Sequence, residues 1–290
     1  MLMGIGAALL GTLFQALNFC LIKEAELRHG LKGLRLLIAS HLVMGLICLV
    51  PFVVFSLWEG LNAQSLKLIA FLDFCYILSQ YCFFTAVRKS DPSTASPYMI
   101  LKLPVVALIA VFYLQQSLNW IQLAAVIAIV ALSLNFTRVK GKAGPAVLGL
   151  VTLTCICLSL CDVAVLRLTS LMPFDSPLKR ALAGTCYYFV SFLIFLLPFA
   201  LVLKTGKREL WLSRNVALSW VTGVALYITS FFFAGLLAAN IIISLRALFA
   251  VLLVLLFFRE HLQGGRPLTG TKLITATLLC ASVTVYHLAA

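Results

Sequence analysis

The chain has 290 residues, of which 63% are hydrophobic and only 11% are charged, with a net charge of +13. Soluble domains carry about 25% charged residues, so this composition excludes a soluble globular protein and indicates a polytopic helical membrane protein. A membrane β-barrel is also excluded, because the apolar runs are unbroken and far longer than the alternating segments of about ten residues in barrel strands. The basic residues lie in short loops rather than in a basic domain, so no nucleic-acid partner is expected.

Ten apolar runs of about 17–25 residues, broken at charges and at Gly or Pro, predict ten transmembrane helices. Their predicted ranges are 2–22, 34–57, 66–88, 93–114, 118–137, 145–167, 178–203, 214–237, 239–258 and 269–288. The loops are short, for example Ala238-Ala-Asn240, so consecutive helices are expected to be antiparallel neighbours. The predicted fold class is an all-α polytopic membrane protein, located as a multi-pass protein in the cell (inner) membrane.

A shift of 144 positions aligns polar residues of the two halves. It pairs Asn18 with Asp162, Lys23 with Arg167, Lys102 with Arg246, and Gln116 with Glu260. One constant offset predicts two five-helix repeats, residues 1–140 and 145–290, within one integral membrane domain. Because each repeat has an odd number of helices, the second is inserted upside down relative to the first. Inverted repeats of this kind are typical of transporters that hold substrate near the membrane midplane.

Several motifs carry a resemblance to a known family. They are Asn18-Phe19 followed by Lys23, Leu34-Arg35-Leu-Leu-Ile-Ala39, Lys102-Leu-Pro104-Val, and Arg246-Ala-Leu followed by Phe258-Arg-Glu260-His-Leu262. On these motifs the chain resembles EamA-type members of the drug/metabolite transporter superfamily. The resemblance implies ten helices in two inverted five-helix repeats. The chain departs from the family pattern at Gln116, which replaces a glutamate, and at Leu248, which stands where the first half has Pro104.

Two basic residues inside apolar runs are the central candidates for a substrate site. Lys102 and Arg246 occupy equivalent positions in the two predicted repeats, so pseudo-symmetry places them on facing sides of one cavity. Two cations suit an anionic or carboxylate-bearing substrate, with Arg as a bidentate fork and Lys as a point charge. The resemblance adds that related phosphate-ester carriers place basic residues on these helices. In the alternative, each cation is neutralised by an intramembrane acid, with Asp73 as the expected partner.

Helical spacing extends the predicted substrate site, whose cavity is lined by helices 1, 3, 4, 6, 8 and 9. The further substrate-binding candidates are Gln15, Asn18, Tyr76, Gln80, Tyr98, Trp220 and Tyr227. The aromatic residues also suit core packing, and Gln15 and Asn18 also suit hydrogen bonds between helices.

Three acidic residues, Asp73, Asp162 and Glu260, are candidates for coupling or for ion pairs. Asp73 is deep in helix 3 and suits either a structural ion pair or proton coupling. Asp162 is near a helix end and is expected to pair with a nearby Arg or Lys at the interface. Glu260 resembles the glutamate of the family pattern, in either a structural or a coupling role.

Motifs of enzymes, metal sites and phosphate-binding loops are not found in the sequence, so neither catalysis nor a cofactor is expected. The predicted function is a secondary transporter that moves a small polar metabolite, such as an amino acid, a nucleotide-like compound or an organic anion, by alternating access. Its partners would be this substrate and membrane lipids, with proton coupling left open. The alternatives are a broad exporter of amphiphilic compounds or drugs, a non-transporting membrane scaffold, and an intramembrane enzyme. Loop charges favour termini outside the cell, whereas the resemblance implies termini in the cytoplasm.

Overall fold

The computed structural model describes residues 2–31, 33–89, 96–115, 117–136, 144–246, 248–249, 252–253 and 270–289. Within these ranges the chain forms α-helices and short 3-10 helices, and no β-strand. The α-helices are α1 Leu2–His29, α2 Gly33–Val54, α3 Ala63–Lys89, α4 Lys102–Phe112, α5 Trp120–Phe136, α6 Pro145–Ser170, α7 Pro177–Val202, α8 Lys207–Ala234, α9 Leu236–Ile243 and α10 Gly270–Leu288.

Six described helical stretches are long and apolar enough to cross a membrane. They are α1, α2, residues Ala63–Phe83 of α3, α6, α7 and α8, and two shorter apolar stretches are Met99–Phe112 and Trp120–Leu132. The predicted all-helical, multi-pass membrane fold is therefore confirmed. The count of ten spans and the inverted repeats stay predictions, and the predicted linker between the repeats lies largely outside the described residues.

The predicted fourth helix, residues 93–114, is wrong as one continuous α-helix. Ser96–Leu101 form a 3-10 helix, and the α-helix begins only at Lys102. Pro104 accounts for this start, because a proline has no N–H to donate to the carbonyl four residues earlier and is tolerated only in the first helical turn. Lys102 therefore lies at a helix start and not in the middle of a helix.

The predicted ninth helix, residues 239–258, is interrupted in the same way. The chain forms α9 over Leu236–Ile243, turns at residues 244–245, and is helical again at Arg246. The Ser244 hydroxyl donates to the Ile241 carbonyl, a local bond that competes with the helical ladder. The predicted loop at residues 238–240 is wrong, because these residues lie inside α9. The break falls instead at Gly235, whose φ of 85° suits glycine.

Packing pairs helices from the two halves of the chain. The most extensive pairs are α1 with α8, α3 with α6, α2 with α7, and α5 with α10. The short helices α4 and α9 pack against each other, and they also contact α6 and α1 respectively. The two helix breaks therefore lie together, next to the crossings of the long helices.

Close crossings occur where glycines remove side chains from the interface, as is common between membrane helices. A Cβ built at Gly223 on α8 would lie 2.9 Å from the Gln15 side chain on α1. A Cβ at Gly45 on α2 would lie 2.8 Å from the backbone oxygen of Phe189 on α7 and would also collide with Leu193. By contrast, a Cβ at Gly149 on α6 would have no atom within 4 Å.

These distances predict opposite effects for two Gly→Ala substitutions. Gly45→Ala should destabilise the protein by about 1–3 kcal/mol, because the backbone of α7 must move away. Gly149→Ala should be neutral or slightly stabilising, because alanine has the higher helix propensity. Thermal unfolding of the detergent-purified variants measures both effects, and equal unfolding temperatures would contradict the close α2–α7 crossing.

Candidate functional site

The carboxylate of Asp162 on α6 is the centre of a buried polar cluster. The Lys102 ammonium forms an ion pair with Asp162 Oδ2 at 2.7 Å, and only 17% and 10% of the two side chains is exposed. The Tyr227 hydroxyl of α8 donates to the same oxygen at 2.8 Å, and Asn240 Nδ2 of α9 donates at 3.0 Å. Lys102 also lies 3.4 Å from the Tyr227 hydroxyl oxygen. One carboxylate oxygen thus joins four helices.

Arg246 lies beside this cluster but has different partners. Its guanidinium donates to Gln15 Oε1 of α1 at 3.1 Å and lies over the Phe19 ring, 4.9 Å from the ring centroid. Among the described residues, no carboxylate forms an ion pair with Arg246. Its charge is therefore held by a neutral amide and by a cation–π contact.

Cys155 connects the two cations in space. It lies on α6, and its thiol is within the range of electrostatic interaction with both Lys102 and Arg246. Arg246 is likewise within electrostatic range of Tyr227, which contacts Lys102 directly. The Asp162 cluster and Arg246 with its two partners are therefore neighbours in the bundle, where α1, α4, α6, α8 and α9 meet. We call them together the basic cluster; its members are Gln15, Phe19, Lys102, Asp162, Tyr227, Asn240 and Arg246.

The three predicted candidates on α3, Asp73, Tyr76 and Gln80, lie in a different interface. Asp73 accepts a hydrogen bond from the Ser191 hydroxyl of α7 at 2.9 Å. The alternative in which Asp73 neutralises Lys102 is therefore wrong, because Lys102 pairs with Asp162. The Tyr76 hydroxyl is 2.9 Å from His41 Nε2, and His41 Nδ1 is 2.8 Å from the Leu37 carbonyl. Because a carbonyl only accepts, neutral His41 carries its proton on Nδ1, and Tyr76 donates to Nε2.

Aromatic side chains pack against one another in this interface between α3 and α7. Tyr76, Tyr188 and Phe192 meet at centroid distances of 4.8–5.3 Å in tilted or edge-to-face arrangements. Gln80 is half-buried on the same helix. In the described part of the chain, no hydrogen bond or ion pair joins Tyr76 or Gln80 to Lys102 or Arg246.

The other candidates have separate environments. The Asn18 amide donates to the Val216 carbonyl at 2.7 Å and to the Ser219 hydroxyl at 3.0 Å, which joins α1 to α8. Trp220 is half-buried, and its Nε1 is buried without a hydrogen-bond partner. The Tyr98 side chain and the whole of Glu260 lie outside the described residues. The predicted interfacial pairing of Asp162 is wrong, because Asp162 is only 8% exposed and pairs with Lys102 inside the bundle.

The sequence reasoning missed two residues of the basic cluster, Asn240 and Phe19. An amide inside the apolar run Leu236–Ile243 was the available signal for Asn240, because polar side chains in membrane spans usually face a cavity or a partner. Phe19 carried no signal of its own, since a single aromatic residue in a span is ordinary.

An open groove between α5 and α10 lies away from this chemistry. Its lining is apolar apart from Ser282 and includes Trp120, Ala124, Leu278 and Val285. With no ionisable side chain in its lining, the groove does not suit a polar substrate.

Comparison with known proteins bears on the identity of this site. Residues 2–136 match the model of the EamA-like transporter family. The match covers the first half of the chain and confirms the resemblance to the drug/metabolite transporter superfamily. No curated protein matches the chain significantly. A solved structure, described only as a crystal structure of a protein, aligns with a TM-score of 0.66 and 17% identity over 98% of this chain and 99% of that chain. The two chains therefore share a fold along nearly their whole length.

The ion pair between Lys102 and Asp162 predicts strong coupling between its two partners. Asp162→Leu and Lys102→Met should each destabilise the protein by about 3–5 kcal/mol, because each leaves the other charge buried and unpaired. The double variant should recover most of this loss, since it buries no charge.

A double-mutant cycle on thermal unfolding measures the coupling. Asp73→Leu is the matched control, because it removes a membrane carboxylate that is paired with a hydroxyl and not with a cation. Additive losses in the double variant would contradict the ion pair.

Proposed function

We propose that the protein is a secondary transporter of the cell (inner) membrane that moves a small polar metabolite with a negative group by alternating access. The EamA-type match supports transport as the class of function. We propose further that it has no enzymatic activity, because the family whose model it matches is a transporter family.

Arg246 is the observation on which the proposed substrate class depends. A charged side chain inside a membrane span is costly and normally faces a partner of opposite charge. Lys102 has such a partner in Asp162, but Arg246 has only Gln15 and Phe19 among the described residues. An anionic group of a substrate would supply the missing charge. Arginine suits this role, because its planar fork binds carboxylate or phosphate oxygens in pairs.

The local charge balance favours a single negative charge on the substrate. The cluster holds the cations Lys102 and Arg246 and the anion Asp162, so it has one excess positive charge. Binding one anionic group would neutralise the site. This lowers the free-energy cost of burying the site while it is closed to both sides of the membrane. Among the substrate classes named above, a monovalent organic anion fits this balance better than a nucleotide with several charges, whereas a zwitterionic amino acid brings its own ammonium group.

Helix pairing supports two inverted repeats, with halves at residues 1–140 and 145–290. If every residue number is shifted by 144, the pair α1–α8 becomes α6–α3, and the contact of α1 with α9 becomes a contact of α6 with the 3-10 helix Ser96–Leu101; both members of each exchange are present. The pairs α2–α7 and α5–α10 map onto themselves. Such an exchange is what a two-fold relation between the halves requires.

The helix breaks support a central substrate site. Transporters built from inverted repeats bind substrate at interrupted helices, where helix N-termini favour anionic groups. The N-terminus of α4 is at Lys102, and the break after α9 is followed directly by Arg246. Both breaks are thus beside the cations that would bind the substrate.

The rival function, export of bulky amphiphiles, lacks support from the aromatic residues. Tyr76, Tyr188 and Phe192 pack against one another in the α2–α3–α7 interface, with Tyr76 only 5% exposed. They are core residues in this structure and do not line an open aromatic box.

Removal of Arg246 should abolish anion transport. In proteoliposomes, Arg246→Leu should lower uptake of labelled amino acids or organic anions at least about tenfold, because the anionic group loses its charge partner. Arg246→Lys should retain part of the activity, since it keeps the charge and loses the fork.

Arg35→Leu is the matched control for this test. Arg35 belongs to an exposed pair with Glu209 at 3.5 Å, and its loss should leave transport unchanged. Wild-type rates in Arg246→Leu and in Lys102→Met would refute the anion site.

A second substitution tests the same site by adding a negative charge near Arg246 instead of removing the positive charge. Asn18→Asp places a carboxylate one helical turn from Gln15, and the Val216 carbonyl, which now accepts from Asn18, would repel it toward Arg246. The variant should therefore supply the missing anion internally and weaken anion binding about tenfold or more.

Asn18→Ala removes the same amide hydrogen bonds without adding a charge and should weaken binding much less. Isothermal titration with the best anion of a metabolite panel compares the two variants. Equal affinity in both variants would show that Asn18→Asp does not act through Arg246.

A further inference from the structure

The side-chain oxygen of Asn240 is buried and has no hydrogen-bond partner. No other side-chain oxygen in the described part of the basic cluster combines these two properties. The residue is 3% exposed, and its Nδ2 donates to Asp162 Oδ2 and to the Leu236 carbonyl, both at 3.0 Å. Its Oδ1 is buried and accepts no hydrogen bond. A buried acceptor without a donor is rare in folded proteins and indicates a missing partner.

The orientation of this amide follows from its neighbours. A flipped amide would place Oδ1 against Asp162 Oδ2 and the Leu236 carbonyl, which are both acceptors. Asp162 Oδ2 already accepts from Lys102 at 2.7 Å and from Tyr227 at 2.8 Å, so it does not donate to Asn240. Oδ1 is therefore the atom left without a partner.

The neighbouring carboxylate has a free oxygen as well. Lys102, Tyr227 and Asn240 all donate to Oδ2 of Asp162, and no hydrogen bond from the described residues reaches its Oδ1. Two adjacent side chains thus offer acceptors, and the nearby donors are already engaged. This arrangement differs from that at Arg246, where a donor lacks an acidic partner.

We propose that Asn240 is a specificity-determining residue, which accepts a hydrogen bond from an N–H or O–H group that the substrate carries beside its negative group. The proposal rests on the proposed function, since it assigns the second contact of the anion that Arg246 binds. The free oxygen of Asp162 lies next to Asn240 and would strengthen the preference for a positively charged donor. The site then selects anions that bear an amino or hydroxyl group over anions that bear none.

The expected selectivity is large, because a site that uses a buried polar group to bind a donor leaves that group unpaired when the donor is absent. One such bond gives a preference of about tenfold to a hundredfold. A purely apolar pocket would show no such preference.

Three matched triads of carboxylates test the proposal on the purified full chain. They are alanine, lactate and propionate; phenylalanine, phenyllactate and 3-phenylpropionate; and glutamate, 2-hydroxyglutarate and glutarate. Isothermal titration calorimetry should show, for at least one triad, that wild type binds the amino or hydroxy member about tenfold or more tighter than the member with neither group.

Two variants separate substrate contact from a structural role. Asn240→Leu should remove the preference, so that the members of a triad bind with affinities within about twofold of each other. Asn240→Asp keeps an acceptor oxygen but loses the Nδ2 donor, so it should keep the preference for the amino member. A structural role alone predicts that both variants weaken all members of a triad equally. Thr185→Val, which removes a buried hydroxyl that bonds only to its own helix α7, should change none of these ratios.

The outcomes distinguish the two proposals. If wild type shows no preference for donor-bearing members in any triad, or binds none of them, the role of Asn240 is refuted. The donor-free members test the anion site independently: if their binding depends on Arg246 while the preference is absent, the proposed function stands and only the Asn240 proposal fails. If Asn240→Leu keeps the full preference, the donor is read by another residue.

Discussion

The buried carboxylate of Asp162 is the constraint on which the centre of this bundle depends. A carboxylate in an apolar interior is costly unless it is paired and hydrogen-bonded. Here three donors from three other helices meet one of its oxygens: Lys102 of α4, Tyr227 of α8 and Asn240 of α9. The cluster therefore fixes the relative positions of four helices, because displacement of any one of them would leave a charge or an acceptor unpaired.

The interrupted helices allow the donors of α4 and α9 to reach the Asp162 carboxylate. Continuous α-helices would fix every side-chain direction by the helical period, whereas breaks allow α4 and α9 to meet each other beside α6 and α1. The breaks have different local causes in the two halves. Pro104 sets the start of α4, while Gly235 and the Ser244 side chain limit α9 at its two ends. Similar geometry thus arises from unrelated residues.

The class of fold, the multi-pass membrane character and the placement of Lys102 and Arg246 inside the bundle could be predicted from the sequence. Long apolar runs with few charges have few solutions in a membrane, and a basic residue inside such a run is conspicuous. Most long helices were predicted to within a few residues at one end, for example α6 at Pro145–Ser170 against a prediction of 145–167. The extension of α1 to His29 was missed, because the charges after residue 22 ended the apolar run although the helix continues beyond it.

The partners of the charged residues could not be predicted, because they depend on which helices pack together. Asp73 and Asp162 are both acids in apolar runs, and the sequence gives no reason to prefer one as the partner of Lys102. The packing of α4 against α6 decides for Asp162, and the packing of α3 against α7 places Asp73 beside Ser191. The 3-10 helix at Ser96–Leu101 was missed for a related reason, since hydropathy does not distinguish it from an α-helix. Pro104 was the signal that could have revealed the break.

Lys102 has an acidic partner, and Arg246 has none among the described residues. This difference corresponds to the residues at positions 162 and 18. Lys102 of α4 meets Asp162 of α6, and the equivalent contact in the other half would join Arg246 to position 18 of α1. That position is Asn18, an amide that bonds to α8, and Arg246 instead contacts Gln15, one turn earlier. An acid in both halves would neutralise both cations and leave the centre without an excess charge. An amide at position 18 and an acid at position 162 therefore leave the described cluster with one excess positive charge, which the anionic group of the proposed substrate would neutralise.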